Sequence, residues 1–390
     1  MSIFLDHPRA RWAVPGAVLA CIAAGGLVTN QVASAAPSLP PRSAAQLLVD
    51  VQKAQLSGLS GTVVQTSNLG LPDLPGMGAG LGGGSSSLTS MVTGTHTWRV
   101  WYAGAHQARV AILGSLGESD VIRNGRDVWV WSSKDKTATH TVLAQGGVPK
   151  GAKPTRAPAQ TQTPMGLPVS PQAAADQALA ALDPSTSVTT SATTSAAGRD
   201  AYELVLSPKS STTLVSQVRI AVDATEHIPL RVQVYSTKSA NPAFEVSFSQ
   251  VDFAKPDASR FTFNPPPGTK VTDSAAPTTP TTRPAEKPAS AANGLKTVGT
   301  GWSTVVVGTV PQQLASLSPG PNPQQSGGAR TDRSVGQLMA VLHNLPRVSG
   351  AWGSGRLLNG TLFSVLLTDD GRMAVGAVPA AQLYAALLAK

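Results

Sequence analysis

The sequence predicts an α+β protein built on an antiparallel sheet, followed by a second, smaller α+β unit. Three observations carry that expectation. Four consecutive stretches, Tyr202–Leu206, Gln217–Val222, Leu230–Tyr235 and Phe244–Val251, alternate apolar and polar residues as strands with one buried face do. Val218, Ile220 and Val222 fall on one side and Gln217 and Arg219 on the other, and Phe244, Val246 and Phe248 repeat the pattern against Glu245, Ser247 and Ser249. A run of Pro, Thr, Ala, Ser and Lys over 272–293 then separates this region from a further stretch of mixed helix and strand signals, 294–390. At 390 residues, with 37 Gly, 31 Pro and 13% charged residues, the chain has room for two modest cores joined by much loop.

The chain opens with Arg9 and Arg11 ahead of an apolar run from Ala13 to Val28 and then Ala33-Ser34-Ala35. This basic, apolar, small-residue order is that of a secretory signal, with cleavage expected after Ala35 and residues 1–35 removed. An uncleaved anchor is the alternative, although the run is short of the roughly 20 residues that cross about 30 Å of hydrocarbon. The one cysteine, Cys21, lies within the run, where lipidation of Val18-Leu19-Ala20-Cys21 is a third outcome. Export to the extracytoplasmic envelope follows in each case. Cleavage after Ala35 would leave no disulfide, thiolate nucleophile or thiolate-bound metal.

Ser43 is placed to cap a helix from Ala44 to about Leu56, with Leu47, Leu48, Val51 and Ala54 forming its apolar stripe. Gly58 stops it, and a strand follows over Gly61–Ser67. Residues 70–90 are rich in Gly, Ser, Leu and Pro and read as a long loop. Within them Gly78-Ala-Gly80-Leu-Gly-Gly83 matches a dinucleotide fingerprint, but no strand leads into it and no helix follows.

The aromatic block comes next. His96–Tyr102 pairs with Gln107–Leu113 through Gly104, and Glu118–Arg123 pairs with Asp127–Ser133 through Asn124-Gly125, read as a type I′ turn. Both faces of these strands are apolar, so the sheet must be covered on both sides or present one side to an apolar ligand. Residues 144–171 form a Gly/Pro/Thr-rich insertion, and Gln172–Leu182 an Ala-rich helix ending before Asp183-Pro184. In the second unit the expected elements are a strand at Thr304–Val307, a loop over Pro311–Ala329 and a helix over Ser334–Asn344. A hairpin of Gly360–Thr368 and Arg372–Val378 around Asp369-Asp370-Gly371 follows, and Pro379 begins a last helix.

Catalytic machinery is not evident. None of the six histidines stands four residues from another, and there is no nucleophile elbow, phosphate loop or zinc spacing. Asp369-Asp370-Gly371 is better explained as a turn than as a cation site, and Glu118 with Asp120 as exposed strand charges than as paired acids. The net charge of +9 is spread along the chain rather than clustered, which argues against nucleic acid and leaves attraction to an anionic membrane as the alternative. No enzyme activity and no cofactor are expected. Trp98, Trp101, Trp129 and Trp131 fall on neighbouring strands. With Ile112, Leu113 and the helix residues Leu48 and Val51, they are candidates to line a cavity for acyl chains; an ordinary core beneath the helix is the competing reading.

Several features together resemble one superfamily: the leader, the helix Ser43–Leu56 running into Gly58-Leu-Ser-Gly-Thr-Val64, the continuous meander, and the ending Phe261-Thr-Phe-Asn-Pro-Pro-Pro-Gly-Thr-Lys-Val271. The superfamily holds LolA-type lipoprotein carriers, LppX-type lipid carriers and RseB/MucB-type envelope regulators of bacteria. The resemblance covers about Ser43 to Val271. It implies a curved, unclosed antiparallel β half-barrel over 43–271 with helices on its concave side, and a non-enzymatic envelope protein that takes lipid or a lipidated protein into that concavity. The second domain resembles the two-domain RseB type, which implies a membrane-anchored anti-sigma factor or other membrane protein as an alternative partner.

Overall fold

Ser43 sets the first helix, α1 (Ala44–Lys53), through a complete capping box: the Gln46 backbone N–H donates to Ser43 Oγ at 3.3 Å and Ser43 N–H donates to Gln46 Oε1 at 2.9 Å. The helix ends at Lys53, a turn earlier than its apolar stripe suggests, and buries Leu47 and Val51. Replacing Ser43 with Ala should cost about 1 kcal/mol, read as a lower urea midpoint at unchanged slope. The computed structural model describes residues 39–70, 94–114, 117–143, 170–180, 182–275, 296–309 and 345–389. The leader, nearly all of the 70–90 loop and 144–171 insertion, most of the 272–293 linker and the expected helix Ser334–Asn344 lie outside them.

The larger of the two sheets is curved and unclosed. In chain order its strands are β1 (Leu59–Ser67), β2 (Gly94–Tyr102), β3 (Gln107–Gly114), β4 (Gly117–Asn124), β5 (Asp127–Ser132), β6 (Thr137–Val142), β7 (Thr186–Thr190), β8 (Thr194–Ala196), β9 (Arg199–Pro208), β10 (Val215–Asp223), β11 (Pro229–Ser236), β12 (Pro242–Asp252) and β13 (Lys270–Ala275). They lie in the order β13-β6-β5-β4-β3-β2-β1-β12-β11-β10-β9-β7, with β8 also pairing with β9. The expected meander is present as β9–β12, and the aromatic strands as β2–β5. β1 joins the two halves by pairing with both β2 and β12. At the join, a Cβ on Gly61 would stand 2.7 Å from the Gln250 carbonyl oxygen and 2.9 Å from the Phe248 ring, so only glycine lets the strands approach.

The large sheet departs from the sequence expectation in one strand pairing and at one turn. The sheet is mixed rather than antiparallel, because β13 pairs parallel with β6 from Lys270↔Thr137 to Ala275↔Val142. The hairpin between β4 and β5 pairs Asn124 with Asp127, so Gly125 and Arg126 form its turn. Of these two only Gly125 (φ 63°) has positive φ, the pattern of type II′ rather than type I′.

A second helix, α2 (Pro171–Ala180), begins with proline at its first position, and Ser170 Oγ accepts from the Ala173 N–H at 2.7 Å. It lies against β11 and β12, while α1 approaches β7 and β9. Both helices pack on the face that carries Val218, Ile220, Val222, Phe244, Val246 and Phe248, each buried.

A second sheet is made of β14 (Lys296–Val298), β15 (Val305–Thr309), β16 (Arg347–Gly350), β17 (Gly353–Asn359), β18 (Ser364–Thr368) and β19 (Arg372–Gly376), ordered β14-β15-β19-β18-β17-β16. Helix α3 (Ala380–Leu388) follows Pro379 and packs Leu383, Ala386 and Leu387 with Val305, Leu366 and Ala374. The two sheets are fastened together. Leu214 N–H donates to Ala377 O at 2.8 Å, Thr361 N–H to Leu69 O at 2.7 Å, and Trp302 Nε1–H to Thr186 Oγ1 at 2.8 Å. Trp302, Leu362 and Ala377 also pack against the first core.

Candidate functional site

Residues paired across neighbouring strands project to the same side, so the registers sort the aromatic block into two faces. On the inner face, which α1 and α2 cover in part, Phe248, Val63, Trp98 and Ile112 stand opposite one another on β12, β1, β2 and β3. All four are buried. A second inner row crosses Val100, Val110, Val121 and Val130 on β2 to β5. It grades from core to surface: Val100 is 1% exposed, Val110 6%, Val121 half-buried and Val130 50%. Val128, also on β5, is half-buried on this face. The Trp98 indole N–H is buried without a partner among the described residues. Leu47 and Val51 of α1 belong to the same core, with Leu48 packed at its margin.

The other candidates project to the outer face. A cross-strand row there runs Trp101, Arg109, Ile122, Trp129, His140 and Asp273 over β2 to β6 and β13, and Trp131 stands opposite Asp120 in the next row. Leu113, paired with Glu118, lies on this face too. The structure thus brings Trp98, Ile112, Leu48 and Val51 together, and sets Trp101, Leu113, Trp129 and Trp131 on the opposite side of the sheet.

What covers the outer face is the segment that closes the meander. Asp257 starts a short 3₁₀ turn, Ala258–Phe261, its carboxylate accepting from Ser259 N–H at 2.8 Å. The turn lies against β3 and β4. Phe261 is 1% exposed, and the Phe263 ring packs 5.3 Å from Trp129 and 5.9 Å from Trp131. The chain then joins the edge of the sheet as β13, so residues 258–275 form a strap that crosses the outer face and ends paired with β6.

Under and beside the strap lie the charges. Asp120, expected on an exposed strand face, is instead buried at 1%, because the strap covers that face. Arg109 donates to it, stands 3.9 Å from Glu118, and lies over the Trp101 ring at 5.4 Å. Burial pushes the Asp120 carboxyl up to about 7 against the pull of Arg109, and Glu118 adds to the rise. His140 stacks on Trp129 with centroids 4.2 Å apart; its Nε2 is 2.9 Å from Asp127 Oδ1 and its Nδ1 3.2 Å from Asp273 Oδ1. The hydrogen bond with Asp127, and then that with Asp273, raises the His140 pKa.

The two aspartates between β18 and β19 are held by side chains of the second sheet. Asp369 accepts from Arg347 at 2.8 Å and Ser354 at 2.5 Å. Asp370 is held down to about 2 by its hydrogen bonds from Arg372 and Thr368. No cluster of three His, Cys, Asp or Glu side chains that could hold a metal occurs among the described residues, and no described helix is long and apolar enough to cross a membrane.

The roles of Phe261, Phe263, His140 and Asp273 were not drawn from the sequence. The signal available for the two phenylalanines was Phe261-Thr262-Phe263, two rings at strand spacing next to a sheet with unmatched outer tryptophans. For His140 and Asp273, 133 residues apart, there was none.

No family profile and no curated protein matches the chain. Among solved structures it is similar to the MucA/MucB complex of Pseudomonas aeruginosa, with 14% identity over 88% of this chain and 96% of that one and a TM-score of 0.40. It is also similar to an uncharacterized conserved protein of Thermus thermophilus (11% identity, 59% of this chain and 99% of that one, TM-score 0.32). A third is a LolA superfamily protein of Nitrosomonas europaea (13% identity, 57% and 99%, TM-score 0.21).

Proposed function

We propose that this is a non-enzymatic protein of the cell envelope that holds the acyl chains of a lipid or lipidated protein against the inner face of its large sheet. The observation that carries the proposal is the valine row from Val100 to Val130, in which apolar surface leaves the core and emerges half-exposed without a change of chemistry. Apolar side chains left open in continuity with a core are what a ligand of the same character covers. Each acyl methylene buried there contributes about 0.8 kcal/mol, so a long chain binds without polar recognition. Trp98, Ile112, Leu48 and Val51 form the floor of this site in the proposal, and the outer tryptophans take no part in it.

Purification of the full chain from its native envelope, followed by solvent extraction and lipid mass spectrometry, tests this reading. Lipid should co-purify, and added lysophospholipid should change the tryptophan fluorescence. A protein that carries no lipid and shows no response contradicts it.

A second reading, a regulatory module engaging a membrane-anchored anti-sigma factor or another integral protein, is favoured by the bonds from Leu214, Thr361 and Trp302 that hold the two sheets together. It expects capture of a membrane protein by the whole chain and loss of that capture when 294–390 is deleted. Recovery of lipoproteins alone contradicts it.

A further inference from the structure

The outer face carries two titratable groups that lipid binding leaves unused, and both lie against the strap. We propose that residues 258–275 are a pH-responsive strap, held to the outer face while Asp120 and His140 carry protons and released as they lose them. The inference stands independently of the lipid reading.

His140 shows why. Both ring nitrogens face carboxylates, Asp127 of β5 and Asp273 of β13. Only the imidazolium has a proton on each; a neutral ring must leave one carboxylate facing a lone pair. Asp127 belongs to β5 and Asp273 to β13, the edge strand in which the strap ends, so losing the proton weakens the bridge between them. Asp273 is 85% exposed, which makes that bridge weak alone.

Asp120 supplies the buried half of the device. Its Oδ1 and the neighbouring Arg109 Nε and Trp131 Nε1 have no hydrogen-bond partner among the described residues. A carboxylate there lacks a full set of donors among the described residues and shares Arg109 with Glu118. Lifting the strap would admit water to it, so the charged form favours release and the neutral acid favours closure. The charged groups that act on the pair are Arg109 on β3 and Glu118 on β4 at Asp120, and Asp127 on β5 and Asp273 on the strap at His140; the strap also carries Arg260 and Lys270.

The two signs agree. Asp120, raised from 3.8 to about 7, favours closure fully below pH 3.8 and loses that contribution as pH rises towards 7. His140, raised from 6.5, favours closure below 6.5 and loses it as pH passes through its higher folded value. Release would bare Phe261, Trp129 and Trp131 and free the last described strand before the second domain.

Hydrogen–deuterium exchange on the full chain at pH 5 and pH 8, corrected for intrinsic rates, tests the proposal. Amides of the strap, among them Lys270, whose N–H donates to Lys136 O at 2.8 Å, should show an opening constant at least about tenfold larger at pH 8. Those of β9–β12 serve as the reference and should not change. Asp120→Asn, which keeps the shape and cannot ionise, should remove most of the difference by keeping the strap closed at pH 8. Equal strap protection at both pH values, tighter protection at pH 8, or an undiminished difference in the Asp120→Asn, His140→Asn double variant overturns it. If Asp120→Asn does not fold, the wild-type comparison against β9–β12 decides alone.

Discussion

Phe261→Ala is expected to lower the unfolding free energy by about 3–5 kcal/mol, more than any substitution elsewhere in the strap. The ring is 1% exposed although it sits in a short turn flanked by polar residues. It is the buried side chain of the turn that lies against β3 and β4. Truncation removes the transfer energy of the ring and leaves a cavity above a sheet whose backbone cannot collapse to fill it. It would also bring water to Asp120, relieving the burial that holds its proton. Phe261→Leu, which keeps most of the volume, should lose less than half as much. Urea denaturation followed by far-ultraviolet circular dichroism reads both. A loss below about 1 kcal/mol for Phe261→Ala would mean that the strap is an ornament of the sheet and not part of its core.

Val130→Glu should behave in the opposite way, with acyl binding weakened at least tenfold and stability changed by no more than about 0.5 kcal/mol. Val130 is 50% exposed, so the carboxylate remains in water when no ligand is present, and surface substitutions of this kind are close to neutral. With an acyl chain against β4 and β5 the same carboxylate must lose its water without gaining a partner. Trp101→Ala, on the other face of the same half-sheet, is the control and should leave binding unchanged. Titration of each purified variant with a fluorescent fatty acid, beside urea midpoints, separates the effects. Equal loss of binding and stability in Val130→Glu would make the valine row an ordinary core margin.

The difference between the legible and the illegible parts of this fold lies in burial on one face. Strands β9–β12 could be read from the sequence because Val218, Ile220, Phe244 and Phe248 alternate against water-facing polar residues, and alternation is what one buried face imposes. Strands β6, β7 and β13 carry no such mark. Thr137–Val142, Thr186–Thr190 and Lys270–Ala275 are rich in Thr, Ser and charge, because strands at or near a sheet edge are not packed on either side as central ones are. Their pairing is fixed by backbone bonds, which no side-chain pattern announces.

The aromatic block shows a different limit. Two apolar faces were legible in Trp98, Trp101, Trp129 and Trp131, and so was the need to cover both or to present one to an apolar ligand. That the outer face is covered by Phe261 and Phe263, more than a hundred residues along the chain, depends on where β12 delivers the chain after crossing the sheet. The same closing motif that marks the end of the meander therefore covers Trp129 and Trp131, while Trp98 faces the inner core.

Photo-crosslinking with a diazirine-bearing fatty acid, followed by peptide mass spectrometry, tests the inner-face site most directly. Adducts are expected on the inner face, at Val121, Val128 or Val130 and on α1, with Val130→Glu abolishing them. Adducts confined to the outer face at Trp101, Trp129 or Trp131, or labelling no greater than that of a denatured control, would contradict it.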